Sequence, residues 1–164
     1  MQKILVSACL LGEKVRYDGG DCHQPGVLEQ WQQEGRVIAL CPEVAGGLPV
    51  PRPAAEILRG DADGVLRGQQ FVQRENGENV TDAFVDGAEK ALALCIRHSI
   101  HIAVLKEGSP SCGVSRVNDG SFAKHKIAGM GVTATLLQRH GIAVFSEMQL
   151  SRVQQMLARL EPVS

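Results

Sequence analysis

Cys9 and Cys41 each directly follow a run that reads as a β-strand, Lys3 to Ala8 and Arg36 to Leu40. Cys112 lies in a third such place. The apolar run Ile100 to Leu105 breaks into the loop Lys106-Glu-Gly-Ser-Pro-Ser-Cys-Gly113. In open α/β sheets, ligands bind beyond the carboxyl ends of the strands, so three thiols from three strands are expected to converge on one sheet edge. Thiolates are soft ligands suited to zinc or to an iron–sulfur cluster. Three of them without a fourth leave one coordination position open, the arrangement by which a metal site does chemistry rather than hold structure. No two cysteines form a C-x-x-C pair, so the spacings familiar from zinc fingers and ferredoxins are absent. Taken singly, each thiol could equally be a small residue closing a buried strand.

Other residues near these thiols carry chemistry too. Glu43 stands two residues beyond Cys41 across Pro42 and is a candidate general base for water; its competing role is that of a solvated loop glutamate. Ser109 and Ser111 flank Pro110 and can donate to a substrate thiocarbonyl or cap the turn. Gly131, Val132 and Thr133 open a helix whose N–H groups could receive a phosphate or carboxylate, or simply make a capped turn. Cys22, beside His23, is a possible fourth ligand. Cys95 falls at core spacing on a helix and reads as an inert buried thiol. The five histidines are scattered and receive no ligand role.

The elements that must position these groups alternate. Strands are expected at 3–8, 36–40, 100–105 and 142–145. A helix starting at Pro25 and stopping at Gly35 would bury Val27, Leu28 and Trp31. A second, with Thr81 as N-cap, would run to about Ser99 with Val85, Ala88, Leu92, Cys95 and Ile96 inward. Val132 to Arg139 makes a third. Ser146 and Gln149 have capping-box spacing for a last helix burying Leu150, Val153, Leu157 and Leu160. Residues 61–79 carry Asp63-Gly64 and Asn76-Gly77 around two short apolar runs and read as a small antiparallel excursion. The prolines 49, 51 and 53 force an extended path, either a stiff linker or a wall beside the cysteines. The pattern is that of an α/β protein: a single-domain, three-layer Rossmann-like sandwich over residues 1–164 with a mostly parallel sheet.

Bulk properties narrow the function. The 164 residues are 44% hydrophobic and 21% charged, with a formal net charge of −1. That composition is globular, and the charge argues against bulk binding to nucleic acid while leaving room for a small anion. The apolar stretch before Cys9 is shorter than the roughly 7–15 residues of a signal peptide core, and no run approaches the ~18–20 residues of a membrane span. A cytoplasmic protein with no membrane partner is expected. In a reducing compartment five cysteines point to metal binding or catalysis before disulfides. The oligomeric state is not readable.

Taken together, Ser7-Ala-Cys-Leu-Leu-Gly12, Val15-Arg-Tyr-Asp-Gly19, Cys41-Pro-Glu-Val-Ala-Gly-Gly47, Pro51-Arg52, Ser109-Pro-Ser-Cys-Gly113 and Gly129-Met-Gly-Val-Thr-Ala134 resemble the short thiouracil desulfidase (TudS) family, formerly a domain of unknown function. The match runs in order over nearly the whole chain. The resemblance implies a [4Fe–4S] cluster on Cys9, Cys41 and Cys112 with one iron free, Glu43 as acid/base and Ser109 assisting at the substrate; it suits the readings above of Ser111 and of Gly131, Val132 and Thr133 as residues that bind the substrate. It implies non-redox removal of sulfur from a small thiolated pyrimidine, 4-thiouracil or its nucleotide. The alternatives are a three-Cys zinc hydrolase and a non-catalytic sulfide- or nucleotide-binding module.

Overall fold

The computed structural model of the protein describes residues 1–23 and 26–161; the expected helix start at Pro25 lies outside them. In chain order the elements are β1 (Ile4–Ser7), α1 (Val27–Gln33), β2 (Val37–Leu40), α2 (Pro42–Ala45), β3 (Ala55–Ile57), α3 (Ala62–Leu66), β4 (Val72–Arg74), α4 (Thr81–Arg97), β5 (Ile102–Leu105), β6 (Arg116–Asn118), β7 (Lys126–Ala128), α5 (Val132–Arg139), β8 (Ala143–Ser146) and α6 (Leu150–Leu160). Four of the strands form one sheet in the order β2-β1-β5-β8, parallel throughout.

Period-two alternation divides the strand side chains between two faces. Ile4, Val6, Ile102 and Val104 pack with Leu28 and Trp31 of α1 and with Val153 and Leu157 of α6. Leu5, Ala103 and Leu105 pack with Ala91 and Cys95 of α4 and with Ala134 and Leu137 of α5. This is the expected three-layer α/β sandwich. Both faces of β1 and β5 are buried, which is why those strands read as unbroken apolar runs.

The strand order decides the function. β2, β1 and β5 are neighbours, and each parallel strand delivers its carboxyl end to the same edge. Cys41, Cys9 and Cys112 follow these three strands.

Several local expectations change. Val65 to Arg67 is not a strand: Asp61 Oδ1 accepts the Gly64 N–H at 2.9 Å and caps α3, so Asp63-Gly64 lies in a helical first turn. The antiparallel excursion instead pairs β3 with β4, and Asn76-Gly77 does turn the chain after β4, with Arg74 N–H on Glu78 O at 2.9 Å. A second ribbon, β6 with β7, was not expected. Thr81 is the first helical residue rather than the cap, because its Oγ1 accepts the Val72 N–H at 2.9 Å and ties α4 to β4. Ile96 and Leu160, expected inward, are 69% and 40% exposed, since the buried stripe of α4 runs through Phe84, Gly87, Ala88, Ala91 and Cys95 and that of α6 narrows to Val153 and Leu157. The Ser146–Gln149 capping box is present, leading through a single 3₁₀ turn into α6.

One packing contact sets where Glu43 sits. α2 lies directly on α4, so a Cβ on Gly87 would strike the Pro42 carbonyl, and one on Gly46 the Ala83 carbonyl. Gly87→Ala must push α2 away from α4 and is expected to destabilise the fold by about 1–3 kcal/mol, measured by urea unfolding.

Candidate active site

At the carboxyl edge of the sheet a cavity of about 560 Å³ is lined by Cys9, Cys41 and Cys112, together with Glu43 and Ser109. The structure therefore brings five of the expected site residues to one place. All three cysteines are free thiols, and Cys9 and Cys112 are buried, at 8% and 5% exposure.

Burial works against ionising these thiols. The Cys9 thiol is pushed up to about 12, first by burial and then by neighbouring Cys22 and Cys41, with Lys106 and Arg16 opposing. Cys41 is raised by burial, although the N–H groups of Val44 and Glu43 turn toward it. Cys112 is pushed up furthest by burial and by proximity to Cys41 and Cys9, against a hydrogen bond with Ser7. Protonated, buried thiols are poor nucleophiles. Their proximity is resolved when a cationic group replaces the protons, since metal binding to cysteine releases them.

Glu43 is held from one side. Arg52 Nε donates to its Oε1 at 3.2 Å, and the same guanidinium donates through Nη1 to Pro49 O at 3.1 Å and through Nη2 to Val15 O at 2.9 Å. The Arg52 side chain is only 2% exposed. Burial raises the Glu43 carboxyl above its ordinary value, and the Arg52 charge and hydrogen bond offset only part of this. Val15 O also faces Cys41 Sγ at 3.8 Å. From this segment Arg52, Ala54 and Ala55 thus wall the site, while Pro49, Pro51 and Pro53 are exposed.

Cys112 owes its position to its loop. Ser109 Oγ accepts the N–H groups of Ser111 and Cys112, both at 3.0 Å, which leaves its own proton to donate. The expected anion site at Gly131, Val132 and Thr133 is corrected. Their N–H groups already donate to Gly113 O, Pro110 O and Ser111 O at 2.8–2.9 Å. Ser111 Oγ meets Thr133 Oγ1 at 3.0 Å in a fully buried pair. Ser111, Val132 and Thr133 are 1%, 0% and 0% exposed. A Cβ on Gly131 would collide with the Ser111 carbonyl. The start of α5 therefore docks the cysteine loop and has no donors left for a ligand.

Glu107, overlooked in the sequence, organises the same loop from within. Its Oε1 accepts the N–H groups of Val114, Ser115 and Arg116 at 2.8, 2.9 and 3.1 Å, and its Oε2 accepts the Ser115 hydroxyl at 2.8 Å. Burial pushes this carboxyl up, but the hydrogen bonds from Ser115, Arg116 and Val114 outweigh it and hold Glu107 below the ordinary carboxylate range. A depressed folded value means stability present above about pH 4.5 and lost as the pH falls through the lower folded value. Glu107→Gln should cost roughly 1.5–3 kcal/mol at pH 7. The gap from wild type should close as the pH drops below about 4, read by urea unfolding at both pH values. Arg52 was the other omission. A lone arginine between prolines and a carboxylate opening a Gly-Ser loop were the available signals.

Cations line the rest of the cavity, notably Arg16, Lys106, Arg116 and Lys126. Lys106 is paired with Glu147 at 3.1 Å. The Lys126 ammonium is held below its usual value first by burial and then by Lys106 and Arg116, against the pull of Glu56 and Glu107. Cys22 does not line this cavity. It packs against Cys9 in the core, and its N–H donates to Cys9 O at 2.8 Å. Cys95 is 1% exposed, in the core as expected. No helix among the described residues is long and apolar enough to cross a membrane.

Comparison with known proteins agrees with this architecture. A solved structure of a [4Fe-4S]-dependent thiouracil desulfidase, TudS, superposes with a TM-score of 0.88 at 49% sequence identity, covering 96% of this chain and 99% of that one. The uncharacterized protein YbbK of Bacillus subtilis (strain 168) is 39% identical over 150 residues, 92% of this chain and 99% of its own length. The profile of the 2-thiouracil desulfurase family matches residues 4–149. The chain belongs to the 2-thiouracil desulfurase family, whose members are enzymes acting on a carbon–sulfur bond.

Proposed function

We propose that the protein converts 4-thiouracil, or its nucleotide, to uracil or the uridine nucleotide, using a [4Fe–4S] cluster held by Cys9, Cys41 and Cys112. The observation that carries this reading is that three thiols from three adjacent strand ends share one cavity with a buried carboxylate. The donor set fits the group. Three free cysteines, two of them buried, perturb one another, and the solved relative at 49% identity is described as [4Fe-4S]-dependent.

When bound, the cluster supplies a Lewis-acidic iron with an open position and affinity for soft sulfur. The chain's own residues do the rest. Glu43 takes a proton from the attacking water, and Arg52 fixes the carboxylate that receives it. Ser109 donates its hydroxyl proton toward the reacting thiocarbonyl. Overall, water and a thiocarbonyl become a carbonyl and hydrogen sulfide, with no change of oxidation state. The unbalanced cations Arg16, Arg116 and Lys126 suit a phosphate. The thiols lie deep while Arg116 and Lys126 are exposed, so a nucleotide must present its reacting carbon and its phosphate at opposite ends. The ring carbon C4 lies across from the ribose-bearing nitrogen and C2 lies beside it, which favours the 4-thio substrate.

The test is anaerobic reconstitution with iron and sulfide, followed by 4-thiouracil, 4-thiouridine monophosphate and 2-thiouracil as substrates. A brown protein that bleaches the 4-thio absorbance and releases hydrosulfide is expected. A protein that loads its cluster and desulfurates none of them would be a binding module.

A further inference from the structure

The geometry points to Tyr17 as the side chain that stacks on the substrate's pyrimidine ring, an inference that rests on the desulfidase reading above. Tyr17 is the chain's single tyrosine and, among the described residues, the one aromatic side chain lining the cavity of the three cysteines. Of the other rings, Trp31 and Phe84 are buried, Phe145 packs against the core of α1 and α6, and Phe71 and Phe122 do not line this cavity.

Tyr17 is 42% exposed, so core packing does not hold it. Its own loop does. Arg16 N–H donates to Gly20 O at 3.1 Å, Gly19 N–H returns to Arg16 O at 2.8 Å, and Gly20 N–H reaches Asp18 Oδ1 at 2.8 Å. Arg52 N–H donates to Tyr17 O at 2.6 Å, so the residue whose guanidinium orients Glu43 also anchors the Tyr17 backbone. The Arg16 guanidinium lies over the ring, 5.8 Å from its centroid. An exposed ring on a loop closed this tightly is available to a flat partner, and the backbone link to Arg52 holds that loop beside the Glu43 carboxylate. Stacking of a base on an aromatic side chain is typically worth about 1–3 kcal/mol. The class of substrate selected is a planar thiocarbonyl heterocycle, in preference to an acyclic thioamide.

The test compares Tyr17→Ala and Tyr17→Phe with wild type in the reconstituted holoenzyme. Tyr17→Ala should raise KM roughly tenfold for both free base and nucleotide, with kcat changed less than about twofold. Iron content and visible spectrum should be unchanged. Tyr17→Phe should behave as wild type, because stacking needs the ring and not the hydroxyl. Calorimetric Kd values for uracil should move by the same factor, a readout independent of turnover. Unchanged KM and Kd in Tyr17→Ala, or equal damage in Tyr17→Phe, would overturn the assignment. A wild-type protein that binds uracil without desulfurating 4-thiouracil would sink the desulfidase reading alone, and the binding comparison would still decide Tyr17. A wild type that binds neither would overturn both.

Discussion

Glu43→Gln will lower turnover of 4-thiouracil by roughly 10²–10⁴-fold, the usual contribution of a general base, while leaving the iron content and visible absorption of the reconstituted protein as they are. The amide keeps the shape of the carboxylate and its acceptor oxygen for Arg52 Nε but cannot take a proton from water. Glu43 touches the thiols only through space, so nothing in the substitution removes a ligand. The environment argues for the magnitude. Burial lifts the Glu43 carboxyl above its ordinary value, and a single guanidinium donor at 3.2 Å leaves it partly compensated. A carboxylate accepting several donors would be a weaker base, as the Glu107 carboxyl, held low by its loop, illustrates. Stopped assays with metal analysis on the same sample check both halves. Wild-type rates in Glu43→Gln would remove Glu43 from the chemistry.

Cys112→Ala will abolish both the visible absorption and the turnover. With two thiolates remaining, the cluster loses the ligand that comes from the most deeply buried of the three positions. The fold should survive. The loop is held by Ser109 Oγ, by Glu107 and by the docking of residues 111–113 on the start of α5, none of which uses the sulfur. Circular dichroism of the variant should therefore match the apo wild type. Cys95→Ala is the matched control. That thiol is pushed up to about 11 by burial alone and has no thiol neighbours acting on it, so its removal should leave iron loading untouched. Iron retained in Cys112→Ala, or lost in Cys95→Ala, would put the cluster elsewhere.

Two acidic groups of the site, Glu43 and Glu107, show why reading it from sequence stops where it does. Glu43 declares itself by standing two residues from a cysteine at a strand end. Glu107 has no such marker, because its role is defined by N–H groups up to nine residues downstream that fold back onto it. The role of Arg52 is equally unmarked: its partners are the Glu43 carboxylate and the Pro49 carbonyl on one side and the Val15 carbonyl, 37 residues away, on the other. The anion site at Gly131 to Thr133 fails for the same reason in reverse. A glycine before a helix has free donors in the sequence, and only tertiary packing showed that the cysteine loop takes them.

By itself the sequence determined the four central strands and the main helices, hence a parallel α/β sandwich, and the placement of three cysteines just past strand ends, because apolar runs and Gly/Pro breaks act over a few residues. Tertiary structure alone decided the strand order β2-β1-β5 that makes those ends neighbours, the α2–α4 contact through Gly46 and Gly87 that carries Glu43 to them, and the burial that governs their protons. Those are outcomes of long-range packing, in which every face must find a partner at once, and no local stretch of chain encodes them.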